Sequence, residues 1–347
     1  MTDPTLESSL RTQVKLATGT DASTQPVVKL KGDASNRSYY RVGTPPSSTV
    51  LMVMPKDAAT KSEEATKGAA PKELPFLNVH RYLTALGIRV PEILRYDEPA
   101  GMMVLEDLTD LTFEAALKQG SREDLYTKAV RLLARLRADA EARPDGSCLA
   151  FTRSFDEDLY DWEFHHFREW GLEAWSGKQP SPSERTQLDQ IFKKLSAQLA
   201  AAPKGFTHRD YQSRNLMVKD GELVVIDFQD ALLGPRQYDL VALLRDSYVE
   251  LDRPFIEQML QVYVDEFKAK TGEQIRLPEF IAFFDLLTVQ RKLKDAARFE
   301  FIHRVKGNPG FLVSIPGSLR YVREALAKQP HLADLHRLVA KYVPELS

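Results

Sequence analysis

Three oxygen-bearing side chains in one short stretch, Asp210, Asn215 and Asp227, have the types and spacing to take a proton from an alcohol and to hold a hard cation. They lie in the run His208-Arg-Asp-Tyr-Gln-Ser-Arg-Asn-Leu-Met-Val-Lys-Asp-Gly-Glu-Leu-Val-Val-Ile-Asp227. Asp220-Gly221 is a strong signal for a two-residue hairpin turn. With those two as the turn, residue 219 pairs with 222, and Asn215 falls opposite Ile226. Asp227 is then one step along, and an amide oxygen and a carboxylate meet at the open end of one hairpin. Magnesium takes one or two carboxylates together with phosphate and water oxygens. Asn215 and Asp227 suit it if a phosphate chain supplies the rest. Asp210, in the preceding loop, is placed to accept the proton of an attacking hydroxyl. Each residue also has a plain structural reading: a turn aspartate, a strand-end cap, a surface carboxylate. Their joint spacing is far more specific than any one of them.

These groups need two bodies to position them. Residues Val27–Leu30, Tyr39–Val42 and Thr49–Met54 read as three strands of an antiparallel meander. Residues 56–72 carry almost no bulky apolar side chain and read as a solvated connection. A helix is expected over Glu73–Leu86, stopped by Gly87, then strands at Ile93–Tyr96 and Met102–Leu105. After Asp110 the pattern turns helical. A capping box at Ser121–Asp124 opens a long helix to about Glu141. Further helices are expected near 155–170, 183–201, 236–250, 254–270, 278–304 and 316–327, with the only β signal of this half at 215–228. The expected fold class is α+β: a small antiparallel-sheet lobe over residues 1–108 and a larger, mostly helical lobe over 109–347.

The run His208-x-Asp-x-x-x-x-Asn, followed by Asp227, resembles the catalytic core of the protein-kinase-like fold. It is closer to the aminoglycoside phosphotransferase branch, which phosphorylates small-molecule hydroxyls. The resemblance makes Asp210 the catalytic base and Asn215 and Asp227 the metal ligands. It makes His208 a brace under Asp227, and Asp239 a tie between the catalytic loop and the next helix. ATP and Mg2+ are the implied cofactors. The phosphate-covering turn falls on Gly32-Asp33-Ala34-Ser35-Asn36-Arg37, whose small residues let backbone N–H groups approach a phosphate. The lysine that normally ends the third strand is missing. Met54 stands near its place and Lys56 follows two residues later, with Glu73 as its possible partner or else a solvated helix-end charge. Adenine is expected against the backbone of Glu106-Asp107-Leu108, where side-chain identity should matter little.

Only about eleven residues separate Asp227 from Tyr238-Asp239-Leu240, and no Ala-Pro-Glu follows, so a peptide-docking platform does not fit. The ordered set His208–Met217, Ile226–Pro235, Tyr238–Leu240, Leu244–Tyr248 and Gln290–Lys294 resembles the bacterial anomeric sugar kinases of cell-wall recycling. That family phosphorylates N-acetylmuramate and N-acetylglucosamine at the anomeric hydroxyl using ATP. The likeness spans nearly the whole chain. It makes Gln212, Asp230, Arg245, Asp246 and Arg291 the candidates for the acceptor: carboxylates for hydroxyls, Arg245 for a lactyl carboxylate. Arg291 and Lys294 either line the cleft or are solvated charge. The aromatic run Tyr160, Trp162, Phe164, Phe167 and Trp170 reads as helix packing, and His165 and His166 lack metal-ligand spacing.

Two other functions compete: a kinase of an aminoglycoside or choline-type acceptor, and a non-catalytic nucleotide-binding module. With 47 Lys and Arg against 49 Asp and Glu, the formal net charge of −2 argues against a nucleic-acid partner. One cysteine, Cys148, excludes an internal disulfide. No signal peptide or membrane span is visible in the sequence, and a cytoplasmic protein is expected. The expected partner is a small amino sugar, with no obligate protein partner evident.

Overall fold

The computed structural model describes residues 3–30, 37–54 and 73–347. Strands β1 (Val27–Lys29), β2 (Ser38–Val42), β3 (Thr49–Val53), β4 (Ile93–Asp97) and β5 (Met102–Glu106) form one antiparallel sheet in the order β1-β2-β3-β5-β4. Side chains alternate between its faces. Leu51 pairs with Val104, and both join Leu10 and Val14 of helix α1 (Pro4–Thr18) in a small core. One residue on, Met52 pairs with Met103, and both join Phe76, Val79 and Leu83 of helix α2 (Pro75–Ala85) in the main core. The period-two pattern thus sorts the sheet between one helix on each side. The expected phosphate-covering residues Gly32, Asp33, Ala34, Ser35 and Asn36, the candidate Lys56 and the polar run 56–72 lie outside the described residues.

The segment leaving β5 is tied to the sheet by a buried arginine. Arg41 of β2 donates to both carboxylate oxygens of Asp107, at 2.6 and 3.0 Å, and to both of Asp110, at 3.0 Å each. Ser48 and the Thr109 N–H also donate to Asp107. These bonds hold the guanidinium well above its ordinary pKa, the pair with Asp107 foremost. Glu106 in turn accepts from Arg89 at 2.5 Å and from Lys219 at 2.8 Å. Whatever adenine requires of the backbone here, both carboxylates have a structural part and anchor the crossing between the two bodies.

The second body is helical. It runs through α3 (Phe113–Ala116), α4 (Arg122–Ala142) and α5 (Glu157–His166), the last continuing as a π-helix over Phe167–Ala174. Next come α6 (Pro182–Ala200), strands β6 (Lys204–Thr207), β7 (Leu216–Lys219), β8 (Glu222–Val225) and β9 (Leu232–Pro235), and helix α7 (Tyr238–Leu244). Helices α8 (Arg253–Thr271), α9 (Leu277–Lys306), α10 (Ile315–Leu326) and α11 (Ala333–Ala340) complete it. The middle of α9 is buried on all sides, Asp285, Gln290, Arg291 and Lys294 included, so this helix carries charge through the core. No helix among the described residues is long and apolar enough to cross a membrane. Cys148 is buried, and that burial pushes its thiol pKa up.

Three expectations are corrected. The helix expected over 236–250 stops at Leu244, because Asp246 leaves it to accept backbone N–H groups elsewhere. The helix expected over 155–170 widens after His166, where Gly171 lies so close to the Phe167 ring and to Ala297 of α9 that a side chain has no room. Strands β6 and β9 carried no β signal. They pair antiparallel with Gly205 opposite Gly234, and the Arg137 guanidinium lies against Gly205. That arginine donates to the carbonyls of Phe206 and Gly234.

Removing one partner of a buried ion pair strands the others. Arg41→Met is expected to cost about 3 kcal/mol or more of unfolding free energy, read by urea denaturation at neutral pH.

Candidate active site

The hairpin forms in the expected register, with Lys219 opposite Glu222 and Leu216 opposite Val225. Asp220 and Gly221 both take positive φ, 52° and 78°, as a tight turn of this type requires. The Ile226 N–H donates to the Asn215 carbonyl at 3.1 Å and extends the ladder to the open end. There the Asn215 amide donates to the Asp210 carbonyl at 2.9 Å and approaches Asp227 at 3.4 Å. Asp210, Asn215 and Asp227 therefore converge.

The loop from His208 to Asn215 is shaped by buried acceptors. Asp239, in the first turn of α7, takes the N–H groups of His208 at 2.7 Å and Arg209 at 2.9 Å. Arg209 is held there at φ 80°, a left-handed conformation that a non-glycine residue adopts only against a penalty. Asp246 takes the Ser213 N–H at 2.9 Å, and the Tyr211 hydroxyl donates to the Ala129 carbonyl of α4. His208 Nε2 lies 2.9 Å from the Ile226 carbonyl, and its Nδ1 receives the Asp210 N–H at 3.2 Å. The carbonyl needs a donor and the N–H an acceptor, so the ring is neutral with its proton on Nε2. Burial lowers the His208 pKa in the same sense. The brace runs from the catalytic loop to the residue before Asp227.

Asp210 is the most heavily biased carboxylate of the site. Burial pushes its pKa up, but the positive charges of Lys294, Arg291 and Arg209 outweigh this and hold it well below the ordinary carboxylate range. Arg291 touches it directly. Its guanidinium donates to Asp210 Oδ1 at 3.2 Å and to the Arg209 carbonyl at 2.6 Å.

Asp227 is in the opposite state. It lies at the cleft mouth with φ 61°. Crowding by protein raises its pKa, the Gln229 amide at 2.9 Å lowers it, and the negative charges of Asp210 and Asp230 raise it further. A carboxylate so placed favours a cation. Asn215 Oδ1 accepts no hydrogen bond among the described residues. Two such oxygens fit magnesium held partly through phosphates. Among the described residues no group of three acidic, histidine or cysteine ligands converges on a metal. Phe228, next to Asp227, is fully buried and lies 4.9 Å from the Phe76 ring of α2. Leu108, Met217 and Val224, with Ile226 beside them, form a separate small apolar cluster between the crossing and the hairpin. That is a floor suited to a flat base. Arg37, half-buried at the start of β2, hydrogen-bonds Tyr39, and its charge reaches Asp227.

A profile described as "Phosphotransferase enzyme family" matches residues 26–276. The chain belongs to this family. It is a phosphotransferase that acts on a hydroxyl acceptor. It is 31% identical over 319 residues to an N-acetylmuramate/N-acetylglucosamine kinase of Pseudomonas aeruginosa, covering 90% of this chain and 88% of that one. A protein of the same name from Neisseria meningitidis is 31% identical over 318 residues, covering 90% and 89%. Among solved structures, choline kinase LicA from Streptococcus pneumoniae is similar with a TM-score of 0.60 at 15% identity, covering 94% of this chain and 99% of that one. The ADP-bound aminoglycoside phosphotransferase APH(2'')-Ib is similar with a TM-score of 0.59 at 13% identity, covering 94% and 98%. These two likenesses show the two-lobed kinase-like fold.

Within this phosphotransferase the expected acceptor residues separate. Gln212 is half-buried two residues past Asp210, in a turn where its carbonyl accepts the Asn215 N–H. Asp230 shares the Gln229 amide with Asp227. Arg291 acts on Asp210 itself. Arg245 and Asp246 do other work. Arg245 pairs with Glu324 at 3.0 Å and packs over the Tyr321 ring, and both Asp246 oxygens are taken by backbone N–H groups. Glu73 pairs with Arg81 and Asn78, the helix-end role. Residues missed by sequence reasoning include Arg153, which holds the carbonyls of Gln229 and Ala231, and Glu163, buried beside Arg209. No local motif marks either.

Arg291→Met removes a positive charge from Asp210, so the carboxyl rises and is protonated at higher pH. The acid limb of the kcat/KM profile, followed between about pH 4 and 8, is expected to move to higher pH, with kcat reduced.

Proposed function

We propose that this phosphotransferase moves the γ-phosphoryl group of ATP, with Mg2+, to the anomeric C1 hydroxyl of an N-acetyl amino sugar. N-acetylmuramate and N-acetylglucosamine are the acceptors, and peptidoglycan recycling is the setting. The observation that carries this is the convergence of Asp210, Asn215 and Asp227, in a chain whose relatives are named for those two sugars. Asn215 and Asp227 would hold the cation, and Leu108, Met217 and Val224 would lie against the adenine. When bound, magnesium neutralises the charge that develops on the phosphate oxygens.

Asp210 orients the acceptor hydroxyl toward the γ-phosphorus. The acceptor O–P bond forms as the bond to the β-phosphate oxygen breaks, and the hydroxyl proton passes to Asp210 and then to solvent. Positioning supplies most of the rate in such a transfer. A carboxylate held at low pKa is a weak base. It suits an anomeric hydroxyl, which the ring oxygen beside C1 makes more acidic than an ordinary alcohol. Arg291, donating to Asp210, supports a neutral or anionic acceptor over the cationic amines of choline-type and aminoglycoside substrates.

Phosphorus NMR of the product from N-acetylmuramate and ATP tests the reading. A C1 phosphate is expected, and a 6-phosphate, or turnover on aminoglycosides alone, would remove it. Asp210→Asn is expected to lower kcat by about 10²–10⁴-fold while ATP affinity, measured by calorimetry, stays within a few fold. Full turnover in that variant would exclude Asp210 from the chemistry.

A further inference from the structure

Buried charges in proteins are paired, because an isolated one forfeits its hydration. The three cations at positions 291, 292 and 294 of α9 follow this rule with one exception. Arg291 has Asp210 and the Arg209 carbonyl. Lys292 has Asp295 at 2.8 Å and the Ser247 hydroxyl at 2.6 Å. Lys294 is 7% exposed, and its one ion pair among the described residues is with Asp295, at 3.9 Å, a carboxylate that already holds Lys292. Its charge also acts on Asp210 and Glu163, but among the described residues its ammonium has no acceptor at hydrogen-bonding distance.

Lys294 stands one helical turn beyond Gln290 and Arg291, on the α9 face that meets the catalytic loop. Gln290 donates to Glu163 of α5, while Gln290 Oε1, Glu163 Oε1 and His166 Nε2 are buried without a hydrogen-bond partner, Glu163 Oε1 lying 4.0 Å from the Arg209 guanidinium. Burial, with the charges of Arg298 and Lys294, lowers His166 to a pKa of about 4, so it is neutral at physiological pH. The wall between α5 and α9 therefore holds two oxygens and one ring nitrogen without hydrogen-bond partners, together with the Lys294 ammonium. The positive charge of Lys294 reaches Asp210 together with that of Arg291, so this stretch of α9 sets its cations against the base.

We propose that Lys294 is the specificity-determining residue that binds a carboxylate on the acceptor. This rests on the sugar-kinase reading above. An acceptor bearing a lactyl carboxylate completes the Lys294 ammonium, and one bearing a hydroxyl at that carbon leaves it bare.

The test compares kcat/KM for N-acetylmuramate, its methyl ester and N-acetylglucosamine, in the native protein and in Lys294→Met and Lys294→Arg. A charge-assisted bond is worth roughly 10- to 100-fold. Esterification is expected to cost the native protein a factor of that size, mostly in KM for the sugar. Lys294→Met should impose a like loss on N-acetylmuramate and at least about tenfold less on N-acetylglucosamine. It should also abolish the ester's penalty, and Lys294→Arg should restore part of the preference. Equal losses on both sugars would overturn the proposal and leave Lys294 acting through Asp210 alone. A rise confined to KM for ATP would overturn it in favour of a phosphate contact. The ester result needs no variant and stands if Lys294→Met fails to fold. A native protein inactive on both sugars would instead fell the sugar-kinase reading itself.

Discussion

Asp239 is fully buried, and its two carboxylate oxygens receive the backbone N–H groups of consecutive residues, His208 and Arg209. Burial pushes this carboxyl up, and the two N–H groups with the neighbouring positive charge pull it back. That pair of bonds forces the backbone through a left-handed arginine and delivers Asp210 into the cleft. Without it Arg209 would relax to an ordinary φ, and the peptide that carries Asp210 would rotate. The other contacts of the loop, from Asp246, Tyr211 and His208, act on a path whose direction this one carboxylate has set. A strained residue persists where surrounding bonds over-determine it, and here they come from α4, α7 and the residues beyond α7.

The two acidic groups facing the cleft are tuned apart by position rather than by type. Asp210 sits among Arg209, Arg291 and Lys294 and stays ionised. Asp227 is raised by burial first and then by the charges of Asp210 and Asp230. Two carboxylates in one small cleft are thus held at different proton affinities, and a cation arriving beside Asp227 would relieve the repulsion there. The arrangement loads the interior of α9 with charge, and the helix contributes less to an apolar core than its thirty residues suggest.

What was legible in the sequence was local. Asp220-Gly221 announced its turn, and the turn carried the register, so Asn215 and Asp227 were placed by counting. The apolar runs of β3 and β5 and the Ser121 cap before α4 read equally well. What was illegible was distant. Arg291 is 81 residues from Asp210, Asp107 is 66 from Arg41, and Gln290 is 127 from Glu163. Nothing in the composition of a helix says that its charged face points inward, so Arg291 and Lys294 stayed suspended between cleft and solvent. Arg245 and Asp246 followed the family likeness into the acceptor site, while the fold uses them as fasteners. The structural part of Asp107 was illegible for a related reason: its partner Arg41 lies on a strand with no motif.

Strands β6 and β9 frame the catalytic loop, and each has a glycine at its crossing point. A side chain at Gly205 would press on Arg137, and one at Gly234 would meet Phe155 and Thr207. The missing β signal and the packing of this pair therefore share one cause, since the space where strand-forming side chains would stand is filled by a guanidinium and an aromatic ring. The sites least tolerant of drift as such a protein diversifies thus include two residues with no functional group at all. Selection for new acceptors must work around them, by exchanging the walls of the cleft while leaving this small scaffold bare.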